Sequence, residues 1–463
     1  MTKKITALII ALYCLILPVL SGCSSEKKVV YPPRPAGTVI GSMNYGGGAV
    51  KILISDKSKD IGDVDLSASE LFGETVSAEG LYCRRAVEDE LGVVIEYLSV
   101  PSVLEALTAD AAAGTGSYSV AYPRISEYSA AVEMNLLADL LSVNGAAFSA
   151  DYFDSSFAAA ATVNGKMYAV LESGSVSAFR SSFVTFASTA VMGDSLTARL
   201  KSLVLDGGFT VDAQNEIVAE AGSYTDEKKI YGLGSDRNVC ADSYIAAFDL
   251  SLTVRDGEGR VMLPESFDIF ESAYEKIHGL IVVNPYTYIS EGDGGTGELA
   301  DMFRGGELAM ATLELSRTEK GGIGKDYVIL PLPKYAEEQR SYCTRTADPT
   351  PAVIPLSAPD RACAAAVLES LAAKQDKYIT TAYLESVTDG EYTKSAEIAR
   401  LTDLALTRRG FDTATVFAGI LGDVSELIFS YPLGEGQTSN RGSALLGMKA
   451  IQRSLPAFNR LFE

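Results

Sequence analysis

Carboxylates are the most abundant reactive side chains in this sequence: 60 Asp and Glu stand against 39 Lys and Arg, with one histidine, His278. Two carboxylates at the right separation suffice for glycoside hydrolysis, so the acids alone leave an enzyme open. A single histidine rules out a His-rich metal site. It could serve a Ser or Cys nucleophile, but no G-x-S-x-G elbow or comparable motif accompanies it. His278 closes a helix-like run and Gly279 follows, an arrangement that reads as a helix C-terminal cap. Asp63, Asp65, Ser67 and Glu74 match positions 1, 3, 5 and 12 of a calcium loop. Ala68 stands where that loop's sharp turn requires glycine, so an acidic surface loop is the better reading. Gly292, Gly294 and Gly297 satisfy G-x-G-x-x-G, yet Glu291 and Asp293 flank them and would repel phosphate; the segment reads as a flexible loop. Cys83, Cys240, Cys343 and Cys363 are widely spaced and form no C-x-x-C pair, which disfavours zinc. Three disulfide pairings of these four are open, and buried free thiols are preferred. No cofactor is expected.

The formal charge of -21 makes the chain a poor partner for nucleic acid or an anionic membrane surface, where binding rests on Lys and Arg. At the N-terminus, Lys3 and Lys4 precede an apolar run from Ile5 to Val19, and Leu20-Ser21-Gly22-Cys23 follows. That order reads as a secretory signal spanning 1–22, too short and too soon polar for a membrane span. Leu20-Ser21-Gly22-Cys23 resembles the lipobox of bacterial lipoproteins. The resemblance implies cleavage before Cys23, a thioether-linked diacylglyceryl group on Cys23, and attachment to the outer face of the cell membrane. Residues 23–48, proline-bearing and ending in three glycines, then read as a flexible tether.

Beyond the tether, short apolar runs alternate with amphipathic stretches, a pattern that favours an α/β architecture. Strands are expected at Val50 to Ser55, Val93 to Tyr97 and Tyr118 to Tyr122. Helices are expected over Glu79 to Leu91, Ser102 to Ala113, Glu133 to Leu141, Leu196 to Leu205 and Ala358 to Lys374. Turns fall at Asn164-Gly165 and Asp206-Gly207-Gly208.

Five segments in order carry a further resemblance. Residues 73–93 read GETVSAEGLYCRRAVEDELGV, residues 152–170 YFDSSFAAAATVNGKMYAV, and residues 203–212 LVLDGGFTVD. Tyr231-Gly232-Leu233 follows an acidic stretch. Phe303 to Arg345 contains FRGGELAM, then Arg317, then ILPLPKY with Glu338, Gln339 and Tyr342. Together these resemble the extracellular solute-binding family 1 proteins of ABC importers, in particular a divergent clostridial-type lipoprotein branch. The chain departs from that branch in having no tryptophan: Tyr152, Phe153 and Phe209 stand at the branch's usual Trp positions, and Phe186-Ala187-Ser188 at its Phe-Asn-Lys.

The resemblance implies a periplasmic-binding-protein-like (type II) fold of two α/β lobes, with a hinge and an interlobe cleft. Lobe 1 would comprise 49–170 and return over 350–390; lobe 2 would comprise 171–349, with C-terminal helices over 391–463 mainly on it. It also implies a monomer that captures a small solute, a carbohydrate or oligosaccharide first among candidates, and passes it to ABC permease subunits without chemistry. A sensor or adhesin built on the same fold is the alternative, and a carboxylate-dependent glycan hydrolase a more distant one. Ligand candidates near the implied crossings and strand ends are Tyr122, Asp154, Glu172, Arg180, Glu314 and Tyr342. If Asp154 hydrogen-bonds the ligand, Asp154→Ala should weaken binding without lowering the empty protein's melting temperature.

Overall fold

The computed structural model describes residues 43–56, 73–225, 229–236, 243–290 and 295–463. Cys23, most of the tether, Asp63, Asp65, Ser67, Cys240, Gly292 and Gly294 lie outside the described residues.

The first lobe opens with two βαβ units: β1 (Gly48–Ser55), α1 (Gly73–Leu91), β2 (Val93–Val100), α2 (Val103–Ala113) and β3 (Val120–Tyr122). The three strands are parallel in the order β2-β1-β3. A parallel strand covered on both faces needs apolar residues on both. Accordingly Val50, Ile52 and Ile54 of β1 enter one core cluster, while Leu53 enters another. α2 starts where Ser102 Oγ accepts from Glu105 N and stops at Gly114, in the left-handed region at φ 65°. The described chain begins ahead of β1. Tyr45 N donates to Leu91 O and Met43 packs on the same core, so residues 43–48 belong to the lobe rather than to a free tether.

α3 (Ile125–Glu133) replaces the helix expected over Glu133 to Leu141. Asn135 takes a positive φ of 54°, which ends the helix. Leu136, Leu137 and Leu140 are still buried, but without an α-helix: Leu137 bridges to Pro355, and Leu140 opens a single 3-10 turn over Leu140–Ser142. The apolar spacing was real and its helical period was not. α4 (Ser155–Ala161) follows, and α5 (Val176–Arg180) leads to the second lobe.

That lobe holds β4 (Phe183–Ser188), α6 (Thr189–Leu205), α7 (Val211–Ala221), β5 (Ser223–Tyr224), β6 (Lys229–Asp236), the hairpin β7 (Val254–Arg255) and β8 (Val261–Met262), α8 (Asp268–His278), β9 (Thr287–Ser290), α9 (Gly295–Arg304), β10 (Leu308–Glu314) and β11 (Tyr327–Leu330). Its sheet runs β11-β4-β10-β6, with β5 and β9 both paired to β6; β6, β9 and β10 are parallel, and β4 is antiparallel to both its neighbours. Gly279 is not a cap. It keeps right-handed helical angles, and the chain continues from α8 into a π-helical turn over Gly279–Val283. α7 packs so closely on β6 that a Cβ at Gly232 would lie 2.0 Å from Val218 O. Gly232→Ala is expected to destabilise the protein by about 1–3 kcal/mol in chemical denaturation, as overpacking does. An unchanged midpoint would mean that α7 and β6 move apart freely.

The two lobes share one strand order. In the second, β4 enters from the hinge and runs antiparallel to the third parallel strand, β10, with β11 beyond it. In the first, the segment through Ala352 and Val353 enters from the hinge and bridges antiparallel to Ala121 of β3, with Leu137 bridged to Pro355 beyond. The hinge between them is a ribbon. Phe183 N donates to Arg345 O, Ala347 N to Ser181 O, and Val170 and Ala352 exchange two bonds of 3.0 and 2.8 Å. A third strand joins on the other side, where Thr344 N donates to Arg408 O and Gly410 N to Thr344 O.

After the ribbon, α10 (Arg361–Lys374) returns to the first lobe's core, capped by Asp360, which accepts from Cys363 N. α11 (Thr380–Val387), expected to stay with the first lobe, packs between α1 and the second lobe's Phe179, Phe186 and Leu313. α12 (Ala396–Leu406) leads to the third ribbon strand, and α13 (Thr413–Val416), α14 (Ala418–Leu421) and α15 (Arg441–Arg460) complete the chain. Cys83, Cys343 and Cys363 are buried free thiols; burial pushes the first two up to about 12 and the third to about 11.

Candidate functional site

Open α/β sheets present ligands to the carboxyl ends of their parallel strands. Here those ends are Ser55, Val100 and Tyr122 in the first lobe, and Asp236, Ser290 and Glu314 in the second. A hollow of about 280 Å³ lies between structures that follow two of them. One wall is Ile125 and Ser126, opening α3 just after β3; the other runs from Ile245 to Leu252, after β6. Its floor is the hinge, Arg345 to Pro349 and Gly410 to Asp412, and α13 and α14 close one side.

Each polar group around the hollow is placed by a local cause. Arg124 pairs with Asp348, and Ile125 N donates to Pro349 O at 3.2 Å, so the end of β3 is tied to the ribbon. The Arg345 guanidinium lies 5.7 Å from the centre of the Phe183 ring. Asp412 caps α13 and accepts from Ala414 N at 2.7 Å and from Thr253 N and Oγ1 at 3.1 Å each. Burial raises its pKa, against those hydrogen bonds and the charge of Arg255. The arrangement offers one guanidinium, three carboxylates (Asp249, Asp412 and Asp423), hydroxyls and backbone amides beside apolar side chains. Such a surface can hold a polar solute, and within it Ser425 Oγ donates to Asp423 Oδ1 at 2.9 Å.

Of the six sequence candidates, the structure brings two together. Tyr122 Oη donates to Glu172 Oε1 at 2.6 Å, at the junction of β3 and the hinge. Full burial pushes the Glu172 carboxyl up to about 7, although the Tyr122 hydrogen bond pulls the other way. The other four are held elsewhere. Asp154 Oδ1 accepts from Phe157 N as the cap of α4, and its other oxygen pairs with Arg409 at 3.2 Å. Both line a second hollow of about 670 Å³ that shares Asp249, Ser251 and Phe411 with the first. Asp154→Ala therefore removes a cap and half of a buried ion pair, and the expectation of an unchanged melting temperature is withdrawn.

Arg180 makes a two-pronged bond to Glu319, at 2.7 and 2.8 Å, with Tyr383 Oη donating to the same carboxylate. Glu314 pairs with Arg317 at 3.4 Å. Tyr342 is buried in the second lobe, where its hydroxyl accepts from Phe209 N and donates to Val204 O. Sequence reading missed Arg345 and the 410–425 wall. The Arg345 position closes the most specific resembling segment, and its charge beside an expected crossing was the signal available.

The chain resembles several solved structures over nearly its whole length. A cyclo/maltodextrin-binding protein complexed with maltotetraose aligns at 14% identity and TM-score 0.58, over 89% of this chain and 98% of that one. A sugar transporter from Rhizobium etli, in an open conformation, aligns at 11% identity and TM-score 0.55, over 87% and 99%. The GacH receptor of Streptomyces glaucescens, solved unliganded and with acarbose, aligns at 15% and TM-score 0.52, over 89% and 99%. The fold is periplasmic-binding-protein-like. No protein-family model matches the sequence, and no curated protein matches it. In this two-lobed fold the hollow above the ribbon is lined from both lobes. Among the described residues, no group of three or more His, Cys, Asp or Glu could hold a metal ion.

Proposed function

We propose that the protein captures a small solute, a carbohydrate or oligosaccharide, between its lobes and delivers it to the permease of an ABC importer. The observation that carries this is the hollow whose two walls follow the carboxyl ends of β3 and β6 and whose floor is the hinge. A solute there touches both lobes and favours the closed state by its differential affinity. Support comes from the similar structures, whose ligands include maltotetraose and acarbose. Tyr122, Glu172 and Arg345 are the residues assigned to the site, with Tyr122 and Glu172 ordering its edge. The finer reading keeps membership of the solute-binding family 1 lipoprotein branch, a signal peptide over 1–22, acylation at Cys23 and an extracytoplasmic, membrane-anchored monomer. It also keeps lobe 1 at 49–170, with 43–48 packed on it and its return over 350–390, and lobe 2 at 171–349 with C-terminal helices over 391–463 mainly on it.

The test is a thermal-shift screen of the chain from residue 24, which retains every described residue, against mono- and oligosaccharides, amino acids and peptides. A ligand at 100 times its Kd adds about 2.7 kcal/mol of stability, visible as a raised midpoint. A saccharide that raises the midpoint, is recovered unchanged, and loses its effect in Arg345→Ala supports the reading. Silence across the saccharides, with a response to amino acids or peptides, would replace the solute class; a chemically altered saccharide would make the protein an enzyme.

A further inference from the structure

The last helix carries a charge pattern opposite to that of the molecule. α15 contains four basic residues and no acidic one, in a chain whose formal charge is -21. At about 100° per residue, Arg441, Leu445, Leu446, Lys449, Arg453 and Arg460 fall within an arc of about 140°. All six are exposed, Leu445 at 51% and Leu446 at 66%. The opposite arc, with Ala444, Met448, Ile451, Leu455 and Phe458, is buried against the body. The exposed leucines are therefore not core residues misplaced by a slipped helix.

We infer that the outer face of α15 is a contact surface for an anionic phospholipid bilayer. Two exposed leucines flanked by Arg and Lys, on a helix face free of carboxylates, are the composition of a helix that rests in the headgroup region. The charge complementarity is local. The remainder of the acidic surface is repelled by the same bilayer, so binding is weak and orients the molecule with α15 toward the lipid. The inference goes beyond solute capture and does not depend on acylation at Cys23. Nor does it require a span: among the described residues no helix is long and apolar enough to cross a membrane.

The experiment is co-sedimentation of the chain from residue 24 with vesicles of phosphatidylcholine alone or with phosphatidylglycerol at increasing fractions. The expected result is binding that rises with phosphatidylglycerol and falls several-fold between low and physiological salt. Lys449→Glu with Arg453→Glu should abolish it, and Leu445→Ser with Leu446→Ser should reduce it several-fold. The same charge reversal at Lys394 and Arg400, exposed residues elsewhere on the surface, should leave it unchanged. Equal binding to both vesicle types, or loss in the Lys394/Arg400 variant alone, would overturn the inference. So would absence of binding to phosphatidylglycerol vesicles at low salt, even if the saccharide screen succeeds.

Discussion

Replacing Arg409 by alanine is expected to destabilise the protein by about 3–5 kcal/mol, because it strands a buried carboxylate. Arg409 and Asp154 are 4% and 8% exposed and meet at 3.2 Å. Arg409 also donates to Ser173 O at 3.2 Å and lies 4.7 Å from the Phe179 ring centre. One side chain thus fastens the third hinge strand, the start of α4 and the segment entering the second lobe. Arg199→Ala is the matched control. Its pair with Glu220 is half exposed on both sides, so its loss should cost roughly 0–1 kcal/mol. Urea denaturation of the two variants gives the comparison. Equal midpoints would mean that the hinge does not depend on the buried pair.

Glu172→Gln should change how stability depends on pH. Folded Glu172 keeps its proton up to about 7, because burial disfavours the charge, whereas the unfolded side chain releases it near 4.5. The folded state therefore binds more protons in that window. The contribution of the protonated carboxyl is fully present below about 4.5 and is lost as the pH rises through about 7. The loss at pH 8 is of the order of 3 kcal/mol. Glutamine still accepts from Tyr122 and never ionises. The variant should match the parent near pH 4 and exceed it progressively toward pH 8, as measured by denaturation at each pH. Parallel profiles would show that Glu172 is already charged in the folded protein, and that the Tyr122 bond holds a carboxylate.

The parts of the fold that could be read from sequence are those with local causes. Val50 to Ser55 and Val93 to Tyr97 are apolar runs of strand length, and Ser102 and Gly114 bound a helix in the ordinary way. Leu136 to Leu140 misled because a core residue needs only burial, not a helix, and Asn135 turns the chain before the helical period can continue. The site was harder for a different reason. Asp154, Arg180 and Tyr342 are chemically suitable, but Arg409, Glu319 and Val204 engage them from 255, 139 and 138 residues away. Nothing near a residue in sequence reveals a partner at that distance. Tyr122 and Glu172 emerged together because each sits where the chain leaves the first lobe's sheet, and that junction is marked by resemblance rather than by periodicity.

The buried thiols make the protein its own timekeeper. A sulfhydryl held protonated by its surroundings reacts with a labelling reagent only after the structure around it opens. Cys363 sits in the first lobe's core, Cys83 where α1 meets the second lobe's cluster, and Cys343 against Gly410 of the hinge. Followed one sulfur at a time by mass spectrometry, the labelling rates would clock the breathing of three separate regions. If a solute closes the lobes as proposed, the hinge clock should slow most, since Cys343 rests on the ribbon.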